Sequence, residues 1–350
     1  MAAKLFAAAL AALALSTVAV AGPAWAGPGH AEDPPASPAP PAALRLPAPP
    51  APPPIAPLSI QEAAAVLYAG QVPAACAGLQ AAAVAPAQVT RDVIECMLTE
   101  RYRKDRKAQD LALAFYRTSG SVAGVGEPET MDGGYRGTIR LVPQLPTGAH
   151  RLHLARVLAA SASFEELFAK LSAGAAAAPQ FRWRNLVVRF VRSVAKRTPS
   201  AYAVDWTVTY NVRGSLLGSA DGVRETLFHE IFHLNDFAHG DWSSRTLTRD
   251  YDAILARCLP KLTRACLAPY APGTTTVRGG TYYAFQQDNG TSVHEYAAEL
   301  ALRYYKEHRE LLATGKLTAP PFKCGPPENA RAWKALVTEF FAGIDRTPAC

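Results

Sequence analysis

Apolar residues recur at two different periods along this chain, and the change of period divides it. From residue 58 to 117 alanine and leucine fall at helical spacing, and the segment Asp92–Tyr116 carries Val93, Met97, Leu111, Leu113 and Phe115 on that rhythm, as helices with a buried stripe require. A glycine-rich loop is expected from Gly120 to Gly137. Helical spacing resumes over 150–173 and reads as two helices, the second around Phe164–Leu171. From Phe181 the character changes. Leu186–Val194 is β-branched and aromatic, and Tyr202–Val212 alternates strictly, with Val204, Trp206, Val208, Tyr210 and Val212 opposite Asp205, Thr207, Thr209 and Asn211. That alternation predicts a half-buried strand. Arg213-Gly214 closes it. Val223, Leu227, Ile231 and Leu234 then recur every three or four residues, predicting a helix capped by Ser219 or Asp221.

Two N-terminal segments fall outside these rhythms. Residues 1–26 read as a secretory signal peptide, with Lys4 before the apolar stretch Leu5–Ala21 and a small-x-small cleavage site at Ala24-Trp25-Ala26. Residues 27–57 are dominated by proline and alanine. Proline fixes φ and removes a backbone donor, so an extended linker without a core is expected there. The remainder divides into a helical N-terminal region, 58–135, and a main domain, 136–350. Hydrophobic residues make up 49% of the chain and charged ones 19%, a globular rather than a disordered balance. No second apolar run is long enough to span a bilayer, so no stable membrane insertion is expected once the signal is removed.

The six cysteines are an even number, which in an exported chain suggests three disulfides. Nearest-neighbour pairing is expected: Cys76 with Cys96, Cys258 with Cys266, Cys324 with Cys350. No pair has CxxC spacing, so a metal site must come from elsewhere. The formal charge is +7, yet the basic cluster Arg101, Arg103, Lys104, Arg106 and Lys107 reads as a solvated helix face. It matches no nucleic-acid motif, and no nucleic-acid partner is expected.

The chemistry concentrates in His229-Glu230-Ile231-Phe232-His233. Two histidines four apart on a helix project from one face, one turn apart, as two nitrogen ligands of a single tetrahedral zinc ion. Glu230 lies about 100° around the helix from His229. In an HExxH motif it binds no metal and serves as general base to a metal-activated water. The apolar neighbours Leu227, Phe228, Ile231, Phe232 and Leu234 place the helix in a core, where a pair of histidines beside a glutamate needs polar partners or a metal.

Three residues compete as third ligand. His239 reproduces the HExxHxxxxxH spacing of metzincins, but Asp236 stands where that class needs glycine, and the only methionines, Met1, Met97 and Met131, all precede the motif, leaving no Met-turn. Glu295 lies 66 residues beyond His229 on a helix predicted to run to about Leu312, and His294 precedes it. With Ser292-x-x-Glu295-x-x-x-Glu299 after the first motif, the chain resembles gluzincin-like HExxH zinc metallopeptidases, in which a second helix carries Glu-x-x-x-Asp/Glu. That resemblance implies Glu295 as ligand and Glu299 as acceptor of a hydrogen bond from a liganding imidazole. It rests on two helices. The same Ser292-x-x-Glu295 is also a capping box, in which the carboxylate would serve the backbone instead.

The reading that follows is α+β and zincin-like: a mixed sheet whose edge strand, 202–212, lies beside the active helix, with a mostly helical C-terminal part, so that 136–350 is the catalytic domain. The expected activity is that of an exported, periplasmic or extracellular, zinc-dependent peptidase acting on protein or peptide substrates. Its metal ligands would be His229, His233 and Glu295, with Glu230 as general base and Tyr283 as donor to the developing oxyanion. The alternatives are an exported zinc-binding protein without peptidase activity, or a zinc hydrolase of a non-peptide amide.

Overall fold

In the computed structural model, residues 56–81, 85–133, 137–277, 280–286 and 292–350 are described. The signal peptide and nearly all of the linker lie outside them. The N-terminal apolar rhythm becomes four helices: α1 (Ile60–Tyr68), α2 (Ala74–Ala77), α3 (Pro86–Tyr102) and α4 (Arg106–Ser119). Ser59 starts α1 with a capping box. Its hydroxyl accepts from the Glu62 N–H, and the Glu62 carboxylate accepts from the Ser59 N–H. The segment Asp92–Tyr116 is broken at Asp105. That residue takes an extended conformation, and its carboxylate accepts from the Ala108 N–H to begin α4, which is what an N-cap does. The basic cluster around this break is largely exposed, with Arg103 paired to Glu100 and Arg106 to Asp110.

The stretch Gly120–Gly137 is not a plain loop. It contains β1 (Val122–Gly124) and β2 (Glu129–Asp132). Strands of three or four residues are too short to display a period. These two are specified by partners far along the chain, β1 running parallel to Val187–Arg189 and β2 antiparallel to β3 (Thr138–Pro143). The stretch 150–173 is one helix rather than two: α5 runs unbroken from Arg151 to Ser172. Its small-residue middle, Ala159-Ala160-Ser161-Ala162-Ser163, dilutes the apolar rhythm without supplying the glycine or proline that would end a helix.

The largest correction concerns residues 202–212. They form a hairpin, not one strand: β5 (Ala201–Val204) turns back into β6 (Thr207–Asn211) through Asp205 and Trp206, whose φ values are 48° and 57°. Two consecutive left-handed residues make a type I′ turn, matched to the twist of paired strands. Such a turn leaves the alternation intact on either side. A tryptophan also gives no local sign of it, being an unusual occupant of that backbone region. The Arg182 guanidinium lies over the Trp206 ring, 4.1 Å from its centroid, and helps hold it there.

The sheet is mixed, in the order β2-β3-β4-β6-β5, with β4 at Val187–Ser193 and β1 paired to the first half of β4. β6 is interior and β5 is the edge. The remaining chain is mostly helical: α6 (Ala220–Ala238), α7 (Trp242–Cys258), α8 (Arg264–Leu267), α9 (Ser292–Thr314) and α10 (Pro327–Phe340). α6 packs on β5, α5 and α9. One cluster of buried residues runs from Leu58 to Phe341, so the N-terminal helices and the later elements share a core as well as a sheet. The disulfides are Cys76–Cys96, Cys258–Cys266 and Cys324–Cys350, the nearest-neighbour pairing. They tie α2 to α3, α7 to α8, and the C-terminus to the turn before α10. No described helix is long and apolar enough to cross a membrane.

Candidate metal centre

The helix that carries the HExxH motif is fixed from both ends and along its back. Ser219 caps α6, its Oγ accepting from the Gly222 N–H at 2.9 Å. On the buried side Phe228 stacks on Phe181 and on Tyr305, at 5.2 and 4.5 Å between centroids, and Phe232 meets Phe340 at 5.1 Å. Large aromatic contacts of this kind set the helix's rotation as well as its depth. With those rings turned inward, His229 and His233 face α9.

There they meet Glu295. The Nε2 of His229 lies 3.0 Å from Glu295 Oε2 and 3.1 Å from the Nε2 of His233, and the third side, His233 Nε2 to Glu295 Oε2, is 3.6 Å. Three donors 2.0–2.2 Å from one tetrahedral ion stand about 3.3 Å from each other. The triangle has that size. Behind it, His229 Nδ1 is 3.2 Å from Glu299 Oε1, close enough for the ring to donate there and to keep its Nε2 lone pair for the centre. One ligand atom from each of the two imidazoles and the carboxylate then converge on one point, where they could hold a metal ion. Burial works to lower the His229 pKa, but Glu295 and Glu299 hold it well above the usual histidine range. Burial works to raise the Glu295 carboxyl, and the two imidazoles hold it well below its usual range. A donor set of two imidazole nitrogens and one carboxylate oxygen suits zinc, and among the described residues no fourth ligand-type side chain joins it.

Two further residues border this point. Glu230 is only partly buried and lines the cleft beside the triangle, where burial raises its carboxyl above the ordinary value, partly countered by His229 and His233. Tyr283, in a 3-10 turn (Tyr283–Phe285), puts its ring 5.7 Å from the His229 ring and its hydroxyl on Glu295. Burial first, then the carboxylates of Glu295 and Glu230, push its pKa up. It stays a donor.

The other candidate ligands lie apart from the triangle. His239 ends α6 and is buried against Phe340, its Nδ1 at 2.7 Å from Glu339 Oε1 and its Nε2 at 3.1 Å from the Gln180 carbonyl. The helix makes no sharp turn at Asp236, where metzincin spacing would need one. His294 turns away from the triangle toward Asp241, at 2.5 Å. Glu295 faces His229.

Sequence reasoning missed Gly273. A Cβ there would lie 1.9 Å from Glu299 Oε2, so only glycine leaves the carboxylate room behind His229. Nothing in Ala271-Pro272-Gly273-Thr274 signals this, because the constraint comes from a helix beginning some twenty residues later. The triangle opens on a cleft of about 1660 Å³ whose walls include Ala201, Tyr202, Ala203 and Val204 of the edge strand.

No family model matches this chain, and no curated protein or solved structure shows significant similarity to it.

Proposed function

We propose that this chain is an exported zinc-dependent peptidase, gluzincin-like in its metal site and zincin-like in its fold. The observation that carries the reading is the triangle of His229, His233 and Glu295, backed by Glu299 and bordered by a glutamate that is not a ligand. Those residues would hold zinc, which when bound acts as a Lewis acid and lowers the pKa of water toward about 7. A purely structural zinc site is closed by four protein ligands, whereas this one has three among the described residues, on a cleft.

Each neighbouring residue then has a task. The Glu230 carboxylate, whose pKa burial raises, takes a proton from the attacking water and delivers it to the departing amine. Tyr283, kept protonated, donates to the oxygen on which negative charge develops. Binding falls to the edge strand. β5 has β6 on one side and no strand on the other among the described residues, so its outer backbone groups can pair with an extended peptide. The cleft size favours a polymer: pockets for small ligands run about 300–1000 Å³, and this one is about 1660 Å³. Export is supported by the three disulfides, which persist in oxidising compartments.

The test pairs metal analysis with proteolysis. Purified wild type and Glu230→Gln should carry equal zinc, and only the wild type should cut an unfolded protein substrate. Equal zinc with no cleavage by either form would leave a zinc-binding protein and end the peptidase reading.

A further inference from the structure

Beside the triangle, a second set of ligand-type side chains lines the same cleft. It consists of Asp236 on α6, Asp241 in the turn to α7, and His294 on α9, with one ligand atom from each within 4.8 Å of the others. The same two helices serve both clusters: Asp236 follows His233 by three residues, and His294 immediately precedes Glu295. We propose that these three residues form a second divalent-cation site, distinct from the HExxH centre and independent of whether the chain is a peptidase.

Three observations carry this. The first is charge. Asp236 is buried to 1% exposure, and the only donors that reach it among the described residues are the N–H and hydroxyl of Ser243, at 2.7 and 2.5 Å. Each of its oxygens therefore has a lone pair to spare. With Asp241 beside it, two carboxyl groups face one imidazole. The described residues lining the cleft include no lysine or arginine.

The second is the diversion of Asp241. It occupies the N-cap position of α7 with φ 56° but makes no capping hydrogen bond. Asp236 caps that helix from outside instead, through Ser243. The Asp241 carboxylate reaches His294 Nε2, at 2.5 Å, where the Ser244 hydroxyl also stands at 3.3 Å. A residue type that ordinarily caps the helix it precedes is here committed to the imidazole.

The third is the donor set. One imidazole nitrogen and two carboxylate oxygens suit borderline ions such as Zn2+, whereas Ca2+ takes oxygen ligands alone. Asp241 and His294 are partly exposed, their side chains at 47% and 26%. An ion that Asp236 anchors would part the Asp241–His294 hydrogen bond and take an atom of each as ligands.

The experiment uses the full chain, stripped with a chelator and titrated with Zn2+ alone, counting bound equivalents by elemental analysis after gel filtration. The wild type should bind two equivalents, and a tenfold excess of Ca2+ should displace neither. His294→Ala should bind one, as should Asp241→Asn, which keeps the side-chain volume at an exposed position and so serves if the alanine variant fails to fold. The double variant His229→Ala/His233→Ala should also keep one equivalent and lose it when Asp241→Asn is added. A single equivalent on the wild type, or two on both His294→Ala and Asp241→Asn, overturns the second site. Failure of the peptidase assay alone leaves these counts unaffected.

Discussion

Helix α6 carries two buried histidines that look alike in sequence and differ in what surrounds them. His239 has a separate acceptor for each ring nitrogen, Glu339 on one side and the Gln180 carbonyl on the other. His229 has Glu299 behind it, but in front its Nε2 shares a point with another imidazole nitrogen and a carboxylate oxygen. Each ring nitrogen of the first histidine meets one oxygen of its own, and no third ligand atom converges on either. At the second, two imidazole nitrogens and a carboxylate oxygen meet at one point, where they could hold a metal ion. A buried histidine is thus not in itself a metal ligand. The distinguishing feature is convergence from separate elements.

The contrast breaks most completely if the carboxylate is removed. Glu295→Ala should lose one zinc equivalent and all peptide cleavage, while His239→Ala keeps its full zinc content. Retention by the first and loss by the second would invert the assignment. Next in size is Glu230→Gln, which leaves the triangle whole and should lower kcat/KM by about 10²–10⁴-fold, the usual worth of a general base. A smaller effect is expected behind the ligand. Gly273→Ala pushes on Glu299, and loss of such outer support weakens metal binding by about 10–100-fold; titration against a competing zinc chelator reads it. Unchanged affinity would mean that Glu299 does not position His229.

The pairwise-satisfied histidine should show the opposite profile. His239→Ala leaves Glu339 and the Gln180 carbonyl short of a partner, so it should cost about 1–3 kcal/mol of stability, measured by denaturant unfolding. Stability should also depend on pH. His308 donates from Nδ1 to the Tyr304 carbonyl and accepts at Nε2 from the Arg346 N–H. It is complete when neutral, and burial lowers its pKa to about 4. His153 is lowered to about 4 as well, again chiefly by burial. Both titrate near 6.5 once unfolded, so between those values the unfolded state binds more protons. Their contribution is whole above pH 6.5 and drains away as pH falls toward 4. A denaturation midpoint that stays level across that interval contradicts this.

The candidate site was more legible than the sheet, for a physical reason. His229, Glu230 and His233 sit on one regular helix, where spacing alone dictates direction. The pair Glu295 and Glu299 obeys the same rule on α9. The hairpin at Asp205–Trp206 was hidden, since a two-residue turn preserves alternation and tryptophan does not announce a left-handed backbone. β1 and β2 were hidden by brevity, their registers being set by β4 and β3. Gly273 and the trio Asp236, Asp241 and His294 became visible only when separate elements met. Local periodicity cannot report such meetings.

The most direct test is crystallographic: zinc-soaked protein, with anomalous data collected on both sides of the zinc absorption edge. The account predicts an anomalous peak within about 2.0–2.2 Å of the Nε2 atoms of His229 and His233 and of a Glu295 carboxylate oxygen, with Glu230 beside it and not bound. A triangle without a peak, or an ion held there through His239 or through Glu230, contradicts it.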